Sequence, residues 1–171
     1  MPTRLLACSL FLLSPAAAIA QGDSLCESLS ELFDADQPYK QYAFLDDDQL
    51  ESLKVSLGLF TCNQYPRVSL SCRADIERTK DYSVAQSWTD ALQEKSDALA
   101  ARLEACPSFE DWRPQDTQNF GSATYPMMTR RWLHHGRDLQ ITLTHGFVRH
   151  GKKGAASYES TSGIRFEAIE P

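Results

Sequence analysis

Four cysteines, Cys26, Cys62, Cys72 and Cys106, follow a stretch that reads as a secretory leader, and no other feature constrains the chain as much. Arg4 supplies a short positive start, residues 5–13 form an apolar run, and Ala18 and Ala20 provide small residues for cleavage. The leader is expected to occupy residues 1–20, leaving one domain over residues 21–171. The apolar run is far shorter than the roughly 20 residues of a spanning helix, so no membrane insertion is expected. An even cysteine count behind such a leader predicts two disulfides in an oxidising space, periplasmic or secreted. Cys8 falls inside the leader and takes no part.

Where the bridges run depends on the elements that carry the cysteines. Ser24 and Glu27 have capping-box spacing, and Leu25, Leu29, Leu32 and Phe33 follow at helical period, which predicts a short helix over residues 24–34. Asp46, Asp47 and Asp48 start a turn or a further short helix through Leu50 and Leu53. Val55, Leu57 and Leu59, then Val68, Leu70, Cys72 and Ala74, alternate about a proline turn and predict a hairpin. Ser83 and Gln86 form a second capping box. Behind it Val84, Trp88, Leu92, Leu99, Leu103 and Cys106 share one face until Pro107, a helix of about 23 residues and roughly 35 Å. Three strands follow, marked by Met128 and Trp132, by Leu139, Ile141 and Leu143, and by Ile164, Phe166 and Ala168. The expected fold is α+β: an antiparallel sheet of about five strands packed against one long helix, with a short N-terminal helix and two disulfides. Pairing Cys26 with Cys62 and Cys72 with Cys106 would tie each helix to the sheet and is the favoured scheme. The alternative joins Cys62 to Cys72 across the hairpin and leaves Cys26 for Cys106.

All four histidines lie between residues 134 and 150, which raises the question of a metal site. Gly136 and Arg137 suit a two-residue turn, and this sets 135 opposite 138, 134 opposite 139, 132 opposite 141 and 128 opposite 145. His134 and His135 then point to opposite faces, and His145 lies roughly 20 Å along the partner strand from His134. Zinc ligands must sit about 2 Å from one ion, so no metal is expected. His145 is read as an edge-of-core side chain, and His134 and His135 as residues of the hairpin tip. Arg149, His150, Lys152 and Lys153 form a cationic loop.

Other chemistry is thinly marked. Asp46–Asp48 lacks the glycine and distant glutamate of a calcium loop. Ser122 lacks the elbow of an esterase, and neither a phosphate loop nor a dinucleotide fingerprint occurs, so no cofactor is expected. Tyr39, Tyr42, Phe44, Trp112 and Tyr125 are read as core ahead of groove. A net charge of −6 disfavours nucleic acid, yet nine acids fall in residues 21–60 and seven basic residues in residues 127–171. The expected function is therefore a non-catalytic exported binding module, an adaptor, inhibitor or immunity-like protein. It would dock a protein or an anionic surface polymer through Arg149, His150, Lys152 and Lys153. The alternatives are an extracytoplasmic hydrolase using His145, and a carrier for a small ligand held between helix and sheet.

Overall fold

The computed structural model describes residues 20–38, 41–59, 61–65, 68–152 and 155–169. Residues 1–19, all but the last of the expected leader, lie outside the described residues, as do Tyr39 and Lys153. The elements run α1 (Ala20–Leu32), α2 (Asp47–Leu57), β1 (Thr61–Tyr65), β2 (Ser69–Arg73), β3 (Arg78–Thr79), α3 (Tyr82–Glu104), a 3₁₀ turn (Pro107–Phe109), β4 (Trp112–Pro114), β5 (Gln118–Asn119), β6 (Met127–His134), β7 (Leu139–His150) and β8 (Ser157–Ala168). The strands form one antiparallel sheet in the order β1-β2-β8-β7-β6-β4, with β3 on β8 and β5 on β6. The described residues thus hold eight strands, three of them of three residues or fewer, around the long strands that hydropathy marks.

Alternation decides which face of this sheet is covered. Along β7, Leu139, Ile141, Leu143, His145 and Phe147 are buried, whereas Gln140, Thr142 and Thr144 are only half-buried. Leu70 and Cys72 on β2, Ile164 and Phe166 on β8, and Trp132 on β6 lie on the same side as the first set. That side packs against the helices, with α3 over β7 and β8 and α1 against α2. Leu25, Leu29 and Leu32 of α1 are almost wholly buried, as their spacing requires.

Four local expectations are corrected. Val55 and Leu57 belong to α2, not to a hairpin arm. Asp46 Oδ1 accepts the Gln49 amide at 2.9 Å while Gln49 Oε1 accepts the Asp46 amide at 3.0 Å, and Gly58 closes the helix at φ 67°. These two signals outweigh a three-residue alternation, and Val55 is left 67% exposed on the outer side. α1 begins at Ala20, so Ser24 is interior to it and its hydroxyl meets the Ser56 hydroxyl at 3.2 Å instead of capping. α3 is capped by Asp81, whose carboxylate accepts the Ser83 amide at 2.8 Å. Its buried face at that end consequently turns onto Ala85 and leaves Val84 exposed. Finally, the β6–β7 ladder keeps the expected register, with Trp132 opposite Ile141 and Met128 opposite His145, but stops at Leu133 and Gln140. The His135 amide is drawn instead to the Asp111 carbonyl at 2.7 Å, and His134 pairs with Trp112 of β4.

The favoured disulfide scheme is also overturned, since the bridges are Cys26–Cys106 and Cys62–Cys72. With α2 taking residues 47–57, β1 starts at Thr61 and sets Cys62 directly opposite Cys72, Cα to Cα 4.0 Å. Cys26 then meets Cys106 beyond the end of α3, fastening the N-terminal helix to the long one at 5.2 Å. Two disulfides are what an oxidising, extracytoplasmic compartment sustains. Among the described residues no helix is long and apolar enough to cross a membrane.

Candidate functional site

The side of the sheet turned away from the helices is polar, and register brings its side chains into rows. Asn63, Ser71, Arg165, Thr142 and Arg131 stand directly opposite one another across β1, β2, β8, β7 and β6. The next row holds Thr61, Arg73, Gly163, Thr144 and Thr129. Adjacent strands are about 4.8 Å apart, so Arg131 and Arg165 flank Thr142 at about 10 Å between their backbones. Arg73 is the third guanidinium, one row away.

Together these residues line a cleft of about 420 Å³, with Phe120 at its edge. The floor is low at Gly163, where a Cβ would come within 2.7 Å of the Cys72 carbonyl oxygen. Only glycine lets β2 and β8 approach there, and the absent side chain leaves the space between Arg73 and Thr144 open. A second hollow of about 370 Å³, lined by Val68, Ser69, Gln140 and Ala168, shares Arg165 and Glu167 with the first. The two form one track across the face.

The electrostatics of this face run against those of the chain as a whole. Three guanidiniums line the main cleft against the single carboxylate of Glu167, in a protein of net charge −6. Glu167 is already engaged: Arg165 Nε lies 2.8 Å from one oxygen and Gln140 Nε2 donates to the other at 2.7 Å. Among the described residues, the buried Nε of Arg131 has no hydrogen-bond partner, and the Thr142 hydroxyl beside it is buried and equally unpartnered. A buried polar atom left unpaired is costly, and an incoming acceptor would relieve it. Arginine offers a planar fork of donors matched to carboxylate or phosphate, and Thr129 and Thr144, whose hydroxyls are 3.3 Å apart, add further hydrogen-bonding groups.

The residues singled out in the sequence lie elsewhere. Arg149 and His150 are the last residues of β7, opposite Tyr158 and Ser157, and are not part of the loop that follows. His150 points to the open face with Thr142 and Thr144, and its Nε2 is 3.8 Å from Glu159, a carboxylate that Arg78 also holds at 2.9 Å. Lys152 is exposed beyond it. Tyr42 and Trp112 are core residues, Tyr125 is half-buried, and Phe44 is exposed. Asp46 serves as a helix cap, and Ser122 accepts the Tyr125 amide in a turn.

Compared with known protein families, curated proteins and solved structures, the chain matches none. Its chemistry rests on its own side chains.

His145 illustrates how those side chains are used. It is buried on the helix side, and its Nε2 donates to Gln93 Oε1 at 2.9 Å, not to a serine or a carboxylate. Gln93 donates on to Asp97 at 2.8 Å, and Arg130 closes the chain onto Asp97 at 2.7 Å. This network pins α3 to β6 and β7. Burial holds the His145 imidazole below its ordinary value of 6.5, and Arg130 adds to the effect against the opposing pull of Asp97. Because the folded value is depressed, the contribution of neutral His145 is present above pH 6.5 and is lost as pH falls through that folded value. His134 is shifted the same way by burial. The H145Q variant is therefore expected to lose less stability than wild type when urea unfolding is followed downward from pH 7, while retaining the slope that His134 contributes. Identical slopes would contradict this reading. Among the described residues no group of three His, Cys, Asp or Glu side chains is placed to hold a metal ion.

Proposed function

We propose that the protein is an exported, non-catalytic binding module that docks an anionic surface polymer of the acidic polysaccharide type along the open face of its sheet. Arg131 carries the reading: a half-buried guanidinium with an unpaired Nε, facing a cleft that also holds Arg73 and Arg165. Charge complementarity supports an anion. The two joined hollows support an extended chain over a compact ion. The serine and threonine hydroxyls, with Phe120 61% exposed at the rim, suit a sugar, whose own hydroxyls need partners and whose C–H face packs on a ring. His150 lies further along the same face, so it and the exposed Lys152 beyond it are kept as a second, peripheral contact for a long polymer, while Arg149, opposite Tyr158, falls on the other phase of β7. The leader-like start and the two disulfides support a periplasmic or secreted location.

Titration with polygalacturonate, followed by calorimetry, tests this directly. Each charge-assisted contact is worth about 1.5–3 kcal/mol, and about 1.4 kcal/mol is tenfold in affinity. R73Q and R131Q are therefore each expected to weaken binding at least tenfold, and R165Q less, because Arg165 is shared with Glu167. Binding should also weaken as salt is raised and be absent with neutral dextran. Affinity unchanged in the R73Q/R131Q double variant would overturn the proposal, and tighter binding of poly-glutamate would make the partner an acidic polypeptide.

A further inference from the structure

The helix side of the sheet carries a second cavity that is independent of the arginine face. Its origin is a run of small side chains where large ones are expected. On β8, Ser160 and Ser162 face the helices between Tyr158 and Ile164, and Ser96 of α3 lines the same space from across the layer. The apolar interior is accordingly split into two clusters, a main one around Trp132 and Phe166 and a smaller one of Ala85, Phe147 and Tyr158. A cavity of about 440 Å³ opens here, walled by Leu57, Leu59, Leu92, Leu99 and Leu143. Protein interiors are normally packed with few voids larger than a water molecule, and this volume falls within the ordinary range of small-molecule pockets.

The polar groups of the cavity select its occupant. Ser96 is 4% exposed, and its hydroxyl lines the cavity together with that of Ser162. The Ser160 oxygen accepts the Glu77 amide at 2.8 Å, leaving its own O–H free to donate. At the exposed mouth stand Asp75 and Glu77 on one side and Lys95 on the other. Arg102 lies deeper and donates to the Ser56 carbonyl at 2.7 Å. Two carboxylates offset two cations, so the mouth favours neither sign of charge. We infer that this cavity binds an uncharged, largely aliphatic small molecule carrying one hydroxyl or carbonyl group, with its chain among the leucines and its polar group on Ser96 and Ser162.

The neutral fluorophore N-phenyl-1-naphthylamine reports on the site in the full-length mature protein. Saturable fluorescence enhancement is expected, displaced by 1-decanol at concentrations at least tenfold lower than by decanoate or decylammonium. S96L and S162L fill the cavity with carbon and are each expected to weaken probe binding at least tenfold, with a melting temperature no lower than wild type. R73Q/R131Q should leave it unchanged. Lack of saturable probe binding by wild type would overturn the inference, as would displacement by decanoate as readily as by decanol. Unchanged affinity in the filled variants would do the same. Should either serine variant lose its native circular dichroism, A98L narrows the mouth from the exposed side of α3 and is held to the same tenfold criterion.

Discussion

Replacing Cys26 and Cys106 together with alanine is expected to lower the unfolding free energy by far more than replacing Cys62 and Cys72. The bridges close loops of very different size, with sequence separations of 80 and 10 residues. In the chain-entropy model the longer loop is worth about 4.5 kcal/mol and the shorter about 2.7 kcal/mol. Against domain stabilities of about 5–15 kcal/mol, losing the first removes a large part of what holds the native state. Location adds to the difference. Cys62 and Cys72 lie within a hairpin that ladder hydrogen bonds already hold in register, whereas Cys26 and Cys106 join α1 to the segment beyond α3. Urea unfolding of C26A/C106A and C62A/C72A, without reductant, checks this ordering. Equal losses, or a larger loss for the hairpin pair, would refute it.

The second large effect is expected at Trp132. Its side chain is fully buried where β6 meets the end of α3, its ring stands edge-on to Phe109 at 5.7 Å, and its indole N–H donates to Glu104 at 2.9 Å. Trp132→Ala should cost about 3–5 kcal/mol, the range for deleting a buried aromatic and leaving a cavity. Trp132→Phe keeps most of the ring and forfeits the hydrogen bond, so its cost should fall to roughly 1–2 kcal/mol from the lost bond and the smaller volume. The side chain also lies on the covered face, opposite in direction to its neighbour Arg131. Loss of polygalacturonate affinity in W132F, with the fold retained, would show that the two faces are not separable in the way proposed.

Some of this architecture is legible in the residues because local and long-range signals agree. The glycine at position 136, φ 98°, and the alternation of Leu139, Ile141 and Leu143 point to one register, and the histidines are dispersed by it. The length of α3 follows from a long apolar face and a terminal proline. Where two periods compete, the reading fails: Val55, Leu57 and Leu59 alternate like a strand, while Leu50, Leu53 and Leu57 repeat like a helix. The reciprocal Asp46–Gln49 cap decides in favour of the helix. The same competition decides the disulfides, because the partner of Cys62 depends on where β1 begins. The arginine face was not legible at all. Arg73, Arg131 and Arg165 occupy three separate strands, none is in a charged run as conspicuous as residues 149–153, and only the pairing of β2, β8, β7 and β6 gathers them. The available clue was that Thr142, Thr144, Arg131 and Arg165 all fall on the polar phase of otherwise apolar strands.

Amide chemical-shift mapping during titration with a short polygalacturonate oligomer tests the central claim most directly. The account predicts the largest shifts at Ser71, Arg73, Arg131, Thr142, Thr144 and Gly163, with α3 little affected. Shifts concentrated on the helices, or confined to residues 149–152 with the arginine rows silent, would contradict it.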